Sequence, residues 1–422
     1  MVNSITKNKK VLSLKIGLFD KLVMLLLITT PILQTYGWGQ YNFAFILSCF
    51  FVLVEICISG FGSLKRMPRL LFIYLCYWYL SHLIATLSPH GFVHLGILKA
   101  IFVYALFYKH IYIKYFIKLY EKIAIVCIAF FFFQEISFYV QGSRMPGIIP
   151  FFPIALNLID STSEYLTTVA EMTRSSSFFS EPAHFVQFLL PLLSIEIFYY
   201  KKIKLQLAGI ILLTLLLLQS GNALLGLLGL SFAYLYNVIH KNNYKKKIAS
   251  VFIISVVSLI GYIYVNSDMG KKLLERQNTI TVDDVETTGY AGSGFVRIMR
   301  GYYIFSEYST LKKITGDDTP EYISSSAGRS LVSMYFEDED DRYMNTFQTI
   351  LCYTGLIGLS IFVFMLLKLW KNTTLCGKAT ILELVFVSLA ASFYFANSMA
   401  VYLILPYALA LKNKPNLSSK DF

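Results

Sequence analysis

The chain has 422 residues, 56% of them hydrophobic and only 15% charged, with a mean hydropathy of +0.59. A soluble domain carries about a quarter charged residues, so this composition excludes an ordinary globular protein and demands an apolar solvent around much of the exterior. The formal net charge of +12 does not point to nucleic acid, because the lysines punctuate apolar blocks and no dense basic segment with interleaved aromatics is present.

The apolar residues arrive in blocks of about 18 to 22, the length that crosses a bilayer core. In chain order the expected spans are 18–36, 41–61, 69–87, 92–108, 121–140, 182–200, 205–219, 222–239, 248–265, 346–370, 379–395 and 398–411. The fold class expected is therefore all-α, a polytopic membrane protein of about twelve helices. Lys7, Lys9 and Lys10 precede the first block, but no small-residue cleavage site follows it, so it reads as a retained span. Ser220, Gly221 and Asn222 break a continuous apolar run into a tight hairpin.

This divides the chain into helices 1–5 (1–140), a first external loop (141–181), helices 6–9 (182–265), a larger external loop (266–345), and helices 10–12 with a tail (346–422). With both termini inside, 25 of the 37 Lys and Arg residues fall in the inner segments and 11 in the outer ones, with Lys99 inside a span. That excess marks the cytoplasmic face. Of the six cysteines, Cys49, Cys57, Cys76, Cys127 and Cys352 fall in apolar blocks and Cys376 in a cytoplasmic loop, so no disulfide framework is implied.

Within the first loop, Pro146, Pro150 and Pro153 interrupt an apolar stretch. Beyond them Leu156, Ile159, Leu166, Val169 and Met172 recur at near-helical spacing with Asp160, Glu164 and Glu171 between, a pattern that suits a helix lying on the membrane surface. The acidic run Glu337–Asp341 in the second loop reads as a solvated face.

Arginine and lysine partition between the two sides. Inside, 23 of the 25 cations are lysine, with only Arg66 and Arg69 excepted; outside, seven of eleven are arginine: Arg144, Arg174, Arg276, Arg297, Arg300, Arg329 and Arg342. Lysine serves orientation as a hydrated charge, whereas the planar guanidinium grips phosphate or carboxylate at two points. An arginine-rich outer face suits an anionic ligand such as a lipid-linked phosphate or diphosphate; pairing with loop carboxylates is the simpler alternative. Arg297 and Arg300 follow a flexible Gly292-Ser293-Gly294 and share one helix face by their spacing of three.

A second signal is Arg174-Ser-Ser-Ser-Phe-Phe-Ser-Glu181-Pro182-Ala-His184, directly before the sixth span. Pro182 suits a first helical turn and places Glu181 at the helix mouth, at the membrane surface. Glu181 is then either a carboxylate favoured by the helix dipole or a general base, and His184, within one turn, is either a packing residue or its companion. His90 and His94 lack a third ligand, so no metal is expected. HExxH, paired CxxC, Walker, GxGxxG and GxSxG signatures are absent. The few in-span acids, Glu55, Glu135, Glu196 and Glu383, lie mostly near span ends, a weak pattern for an ion-coupled transporter.

The Arg-x6-Glu-Pro motif, the hairpin broken at Ser-Gly-Asn, the loop with Gly-Ser-Gly-Phe-Val-Arg297, the Gly316-Asp317-Asp318 turn and the stretch from Asn345 through Gly355-Leu-Ile-Gly358 together resemble the Wzy-type O-antigen and capsular polysaccharide polymerases. The resemblance covers most of the chain. It implies a GT-C-like polymerase/ligase architecture in a bacterial inner membrane and a glycosyltransferase that needs neither metal nor cofactor. Its donor and acceptor would be undecaprenyl-diphosphate-linked oligosaccharides, with a chain-length regulator as a further partner. Arg174, Arg297 and Arg300 would hold the diphosphate, and Glu181 with Arg174 would be catalytic, with His184, Arg342 and Asn345 as accessories. Related ligases place a histidine before the tenth span where this chain has Arg342-Tyr343-Met344-Asn345, and the RX10G pattern of some polymerases fails at Phe185. A ligase and a lipid-linked oligosaccharide flippase are the rival expectations.

Overall fold

The computed structural model describes residues 16–39, 41–85, 91–143, 145–149, 151–155, 174–200, 203–240, 300–302, 304–317, 344–392 and 398–413. The chain is mostly helical. Its elements are α1 (Leu18–Leu33), a two-residue hairpin of β1 (Gly37–Trp38) and β2 (Tyr41–Asn42), α2 (Phe43–Ser59) with a 3-10 continuation (Gly60–Arg66), α3 (Arg69–Ala85), α4 (Gly91–His110) and α5 (Ile113–Gln141). There follow α6 (Pro182–Phe198), α7 (Leu205–Leu217), α8 (Gly221–His240), the short α9 (Thr310–Thr315), α10 (Thr346–Asn372), α11 (Leu375–Val387) and α12 (Met399–Asn413).

Helices occupy eleven of the twelve segments expected to be apolar spans; the ninth, 248–265, lies outside the described residues, as does the expected surface helix at 156–172. Among the described residues, four helical segments, Phe43–Arg66, Ile113–Gln141, Gly221–His240 and Thr346–Asn372, are long and apolar enough to cross a membrane. Large apolar side chains such as Phe50, Leu53, Ile136, Phe364 and Leu367 are exposed on these helices, as lipid-facing surfaces require.

Two expectations are corrected. The eleventh segment stops at Val387, short of 395, because the chain turns at 388–390 and its carbonyls are taken by the start of α10. Cys376, expected in a loop, is buried in the first turn of α11, with Sγ 3.5 Å from the Ser194 carbonyl. All six cysteines are free.

Prolines inside the helices show why particular polar side chains sit in the core. Pro191 in α6 has no N–H to give the Gln187 carbonyl four residues back, and the buried Tyr402 hydroxyl of α12 donates to that oxygen at 2.9 Å. In α1, Pro31 likewise deprives the Leu27 carbonyl, which the Thr30 hydroxyl satisfies at 3.0 Å. Where α8 crosses α11, Gly229 lies so close to the Leu382–Glu383 backbone that a Cβ would fall 2.9 Å from it.

Candidate functional site

The segment carrying the Arg-x6-Glu-Pro motif is held beside the middle of α5. With 29 residues, α5 is about 44 Å long. Ser177 Oγ donates to the Cys127 carbonyl at 2.7 Å, Phe178 stacks flat on Phe130 with centroids 4.3 Å apart, and the Phe131 and Phe185 rings lie 6.0 Å apart. Closer to the start of α5, the Tyr120 hydroxyl bonds the Phe188 carbonyl. The start of α6 therefore pairs with α5 near Phe131, about 15 Å short of the α5 terminus at Gln141.

Polar side chains make this burial tolerable, since irregular backbone at such depth must find its bonds within the protein. Gln134, itself buried, accepts the Ser177 N–H at 2.8 Å through Oε1 and donates to the Met145 carbonyl at 2.8 Å through Nε2. Ser176 Oγ donates to the Phe179 carbonyl at 2.7 Å. Ser177 turns the chain with a φ of 55°, and Gly147 packs so tightly on its carbonyl that no Cβ fits there. Ser175, Ser176 and Ser177 are all buried.

Arg174 joins this segment to the hairpin break. Its Nη1 donates to the Gln219 carbonyl at 2.9 Å, in the turn where Gln219 adopts a left-handed φ of 48° between α7 and α8. At the same end of α6, Ser398, which leads into α12, donates to Gln187 Oε1 at 2.9 Å. Arg174 thus ties the segment before α6 to the start of α8, and Ser398 ties the start of α12 to α6; helix starts carry unpaired N–H groups and positive dipole ends that favour anions.

Glu181 is the N-cap residue of α6 by backbone geometry (φ −142°, ψ 152°), yet its carboxylate makes no capping bond and is exposed. His184 is half-buried, with Nδ1 2.9 Å from Ser180 Oγ. The structure so brings Arg174, Glu181 and His184 into one segment.

Arg300 is buried, and the helical residues around it (300–302 and 304–307) pack on the first half of α10. Gly301 beside it contacts Gln348, and its carbonyl lies 3.4 Å from Cys352 Sγ. Asn345, expected as an accessory of the site, caps α10: Oδ1 accepts the Gln348 N–H at 2.9 Å, and Nδ2 donates to the Leu389 carbonyl at 3.0 Å. Gln348 completes the box by accepting the Asn345 N–H at 3.3 Å. The Asn-x-x-Gln spacing just before an apolar run was the signal for this cap. Arg297 and Arg342, with Arg144, Arg276 and Arg329, lie outside the described residues.

The residues that sequence reasoning missed here are Gln134 and the three serines. A lone glutamine in a phenylalanine-rich span carries no pattern, and a serine run before a helix reads as loop. No family model matches the chain, and no curated protein matches it either.

Proposed function

We propose that this chain is a polymerase of lipid-linked glycan repeat units, joining one polyprenyl-diphosphate-linked oligosaccharide to the acceptor hydroxyl of another on the non-cytoplasmic side of a bacterial inner membrane. In this reading about twelve helices span the bilayer and both termini are cytoplasmic. One observation carries it: a buried serine segment fixes Arg174, tied to the α7–α8 turn, on one side, and Glu181, whose carboxylate is exposed and not used in capping, on the other.

The chemistry follows from those two groups. The acceptor oxygen attacks the anomeric carbon, its proton passes to the Glu181 carboxylate, and the carbon–oxygen bond to the diphosphate breaks. Charge then grows on the leaving diphosphate. A guanidinium whose plane is already set by its bond to Gln219 stabilises that charge without reorganising; one preorganised partner of this kind is worth about 3 kcal/mol of barrier. A positioned base contributes about a hundredfold or more. Arg297 and Arg300 are the further arginines assigned to the diphosphate.

Purified protein given synthetic diphospholipid repeats tests this, with products sized on a gel. A ladder of longer lipid-linked glycans is expected, lost in Arg174→Ala and Glu181→Ala variants that still insert into membranes. Transfer only onto a different lipid acceptor would identify a ligase, and movement of the lipid across liposomes with no new glycosidic bond a flippase.

A further inference from the structure

An apolar groove of about 570 Å³ runs between α1, α2 and α5 on the outside of the bundle. Its wall on α1 extends from Leu22 to Leu33, and its wall on α5 from Lys122 to Cys127. On α1 that is about 17 Å, roughly half of the ~30 Å hydrocarbon core, or one leaflet. A groove of this kind on a lipid-facing surface holds hydrocarbon, because water gains no bonds from walls whose polar members are few.

Charge distinguishes its two ends. Lys122 lines one end, and Lys118 and Lys114 follow one and two turns further along the same face of α5. Lys21 of α1, next to the groove residue Leu22, lies 6.0 Å from the centroid of the Tyr115 ring. All four lysines are exposed. Three lysines in the first three turns of α5 oppose its macrodipole, so helix stability does not account for them. The nearby acids are engaged elsewhere: Asp20 sits 2.6 Å from His110, and Glu121 is 2.8 Å from Lys204.

We infer that the α1/α2/α5 groove is a binding site for one anionic glycerophospholipid, with an acyl chain between the helices and its phosphate on Lys122, Lys118 and Lys21. The length of one leaflet and the single charged end select such a lipid over a long polyprenyl carrier. The far end of the groove is closed by Ile149 and Phe178. Phe178 follows Ser177 in the same segment that carries Arg174 and Glu181, so an occupied groove buttresses that segment. The inference is independent of the reaction proposed above.

Native mass spectrometry of the delipidated full-length protein titrated with phosphatidylglycerol, phosphatidylcholine or a polyprenyl phosphate tests it by binding alone. One phosphatidylglycerol is expected to bind at least about tenfold more tightly than phosphatidylcholine. Lys122→Ala should weaken it about fivefold, the effect of one lysine beside an anionic headgroup. Val126→Trp, which fills the groove and leaves every lysine in place, should abolish it. Equal binding of the two phospholipids by the unmodified protein overturns the inference, as does polyprenyl phosphate displacing phosphatidylglycerol, or undiminished binding by a folded Val126→Trp variant.

Discussion

Gly316 and Gly355 meet backbone to backbone: both have positive φ, 87° and 63°, and a Cβ on Gly355 would lie 2.5 Å from the Gly316 amide nitrogen. The α10 helix breaks at Gly355, and the carbonyls released near the break are taken up by this contact. Asp317 N–H donates to the Cys352 carbonyl at 2.8 Å. The Tyr77 hydroxyl of α3 lies 3.2 Å from the Thr354 carbonyl and 3.1 Å from that of Thr315. The crossing thus anchors an inner part of the second long loop to the bundle, with Lys312 and Asp317 paired beside it.

Gly355→Ala should therefore destabilise the protein by about 2–4 kcal/mol, since the left-handed φ and the steric overlap each cost about 1–3 kcal/mol. The unfolding midpoint in detergent reads this directly. A variant with the wild-type midpoint would mean that the two backbones do not approach as described.

Glu181 and Arg174 separate chemistry from stability. Because the Glu181 carboxylate is exposed and caps nothing, Glu181→Gln should leave stability within about 0.5 kcal/mol while lowering polymer formation about a hundredfold. A loss of unfolding midpoint with activity retained would make it a structural residue. Arg174→Lys keeps the charge but loses the planar fork and the bond to Gln219, so transfer should fall by about two orders of magnitude; wild-type rates would remove the guanidinium from the mechanism.

Asn345 should behave in the opposite way. Asn345→Ala removes the α10 cap and leaves the Gln348 N–H and Leu389 carbonyl without their partners, at a cost of about 1–2 kcal/mol. Asn345→Asp restores the cap to Gln348 but not the donor to Leu389, so an intermediate midpoint is expected. Full stability of the alanine variant, with activity lost, would return Asn345 to the site.

How far the sequence could be read depended on which physical signal was periodic. Block length and the Ser220-Gly221-Asn222 break placed the helices, because a bilayer imposes a length and a turn imposes residue types. The joining of Arg174 to that break by a hydrogen bond, and of Gly316 to Gly355, rests on side chains and backbones far apart in the chain, for which a single sequence carries no spacing rule. The depth of Ser175–Ser177 was hidden for a related reason. Polar residues before a helix suggest solvent, whereas Gln134 and Cys127, 43 and 50 residues upstream of Ser177, show that they face protein.

The same blindness applied to Glu55, which read as one of a few acids near span ends. Its side chain is 3% exposed and lies 2.6 Å from Lys109 Nζ and 2.9 Å from His110 Nε2, with the Ser59 hydroxyl also donating to it. His110 Nδ1 lies 2.6 Å from Asp20 on its other side, so one imidazole ties α1, α2 and α4 together. Removing one member of such a buried set strands the charges that remain, at about 3–5 kcal/mol. Glu55→Ala should lower the unfolding midpoint accordingly, and His110→Ala similarly. Because the two share a bond, the double variant should cost less than the two single losses together, with a coupling of about 1–3 kcal/mol. Strict additivity of the two losses would show that Glu55 and His110 act apart.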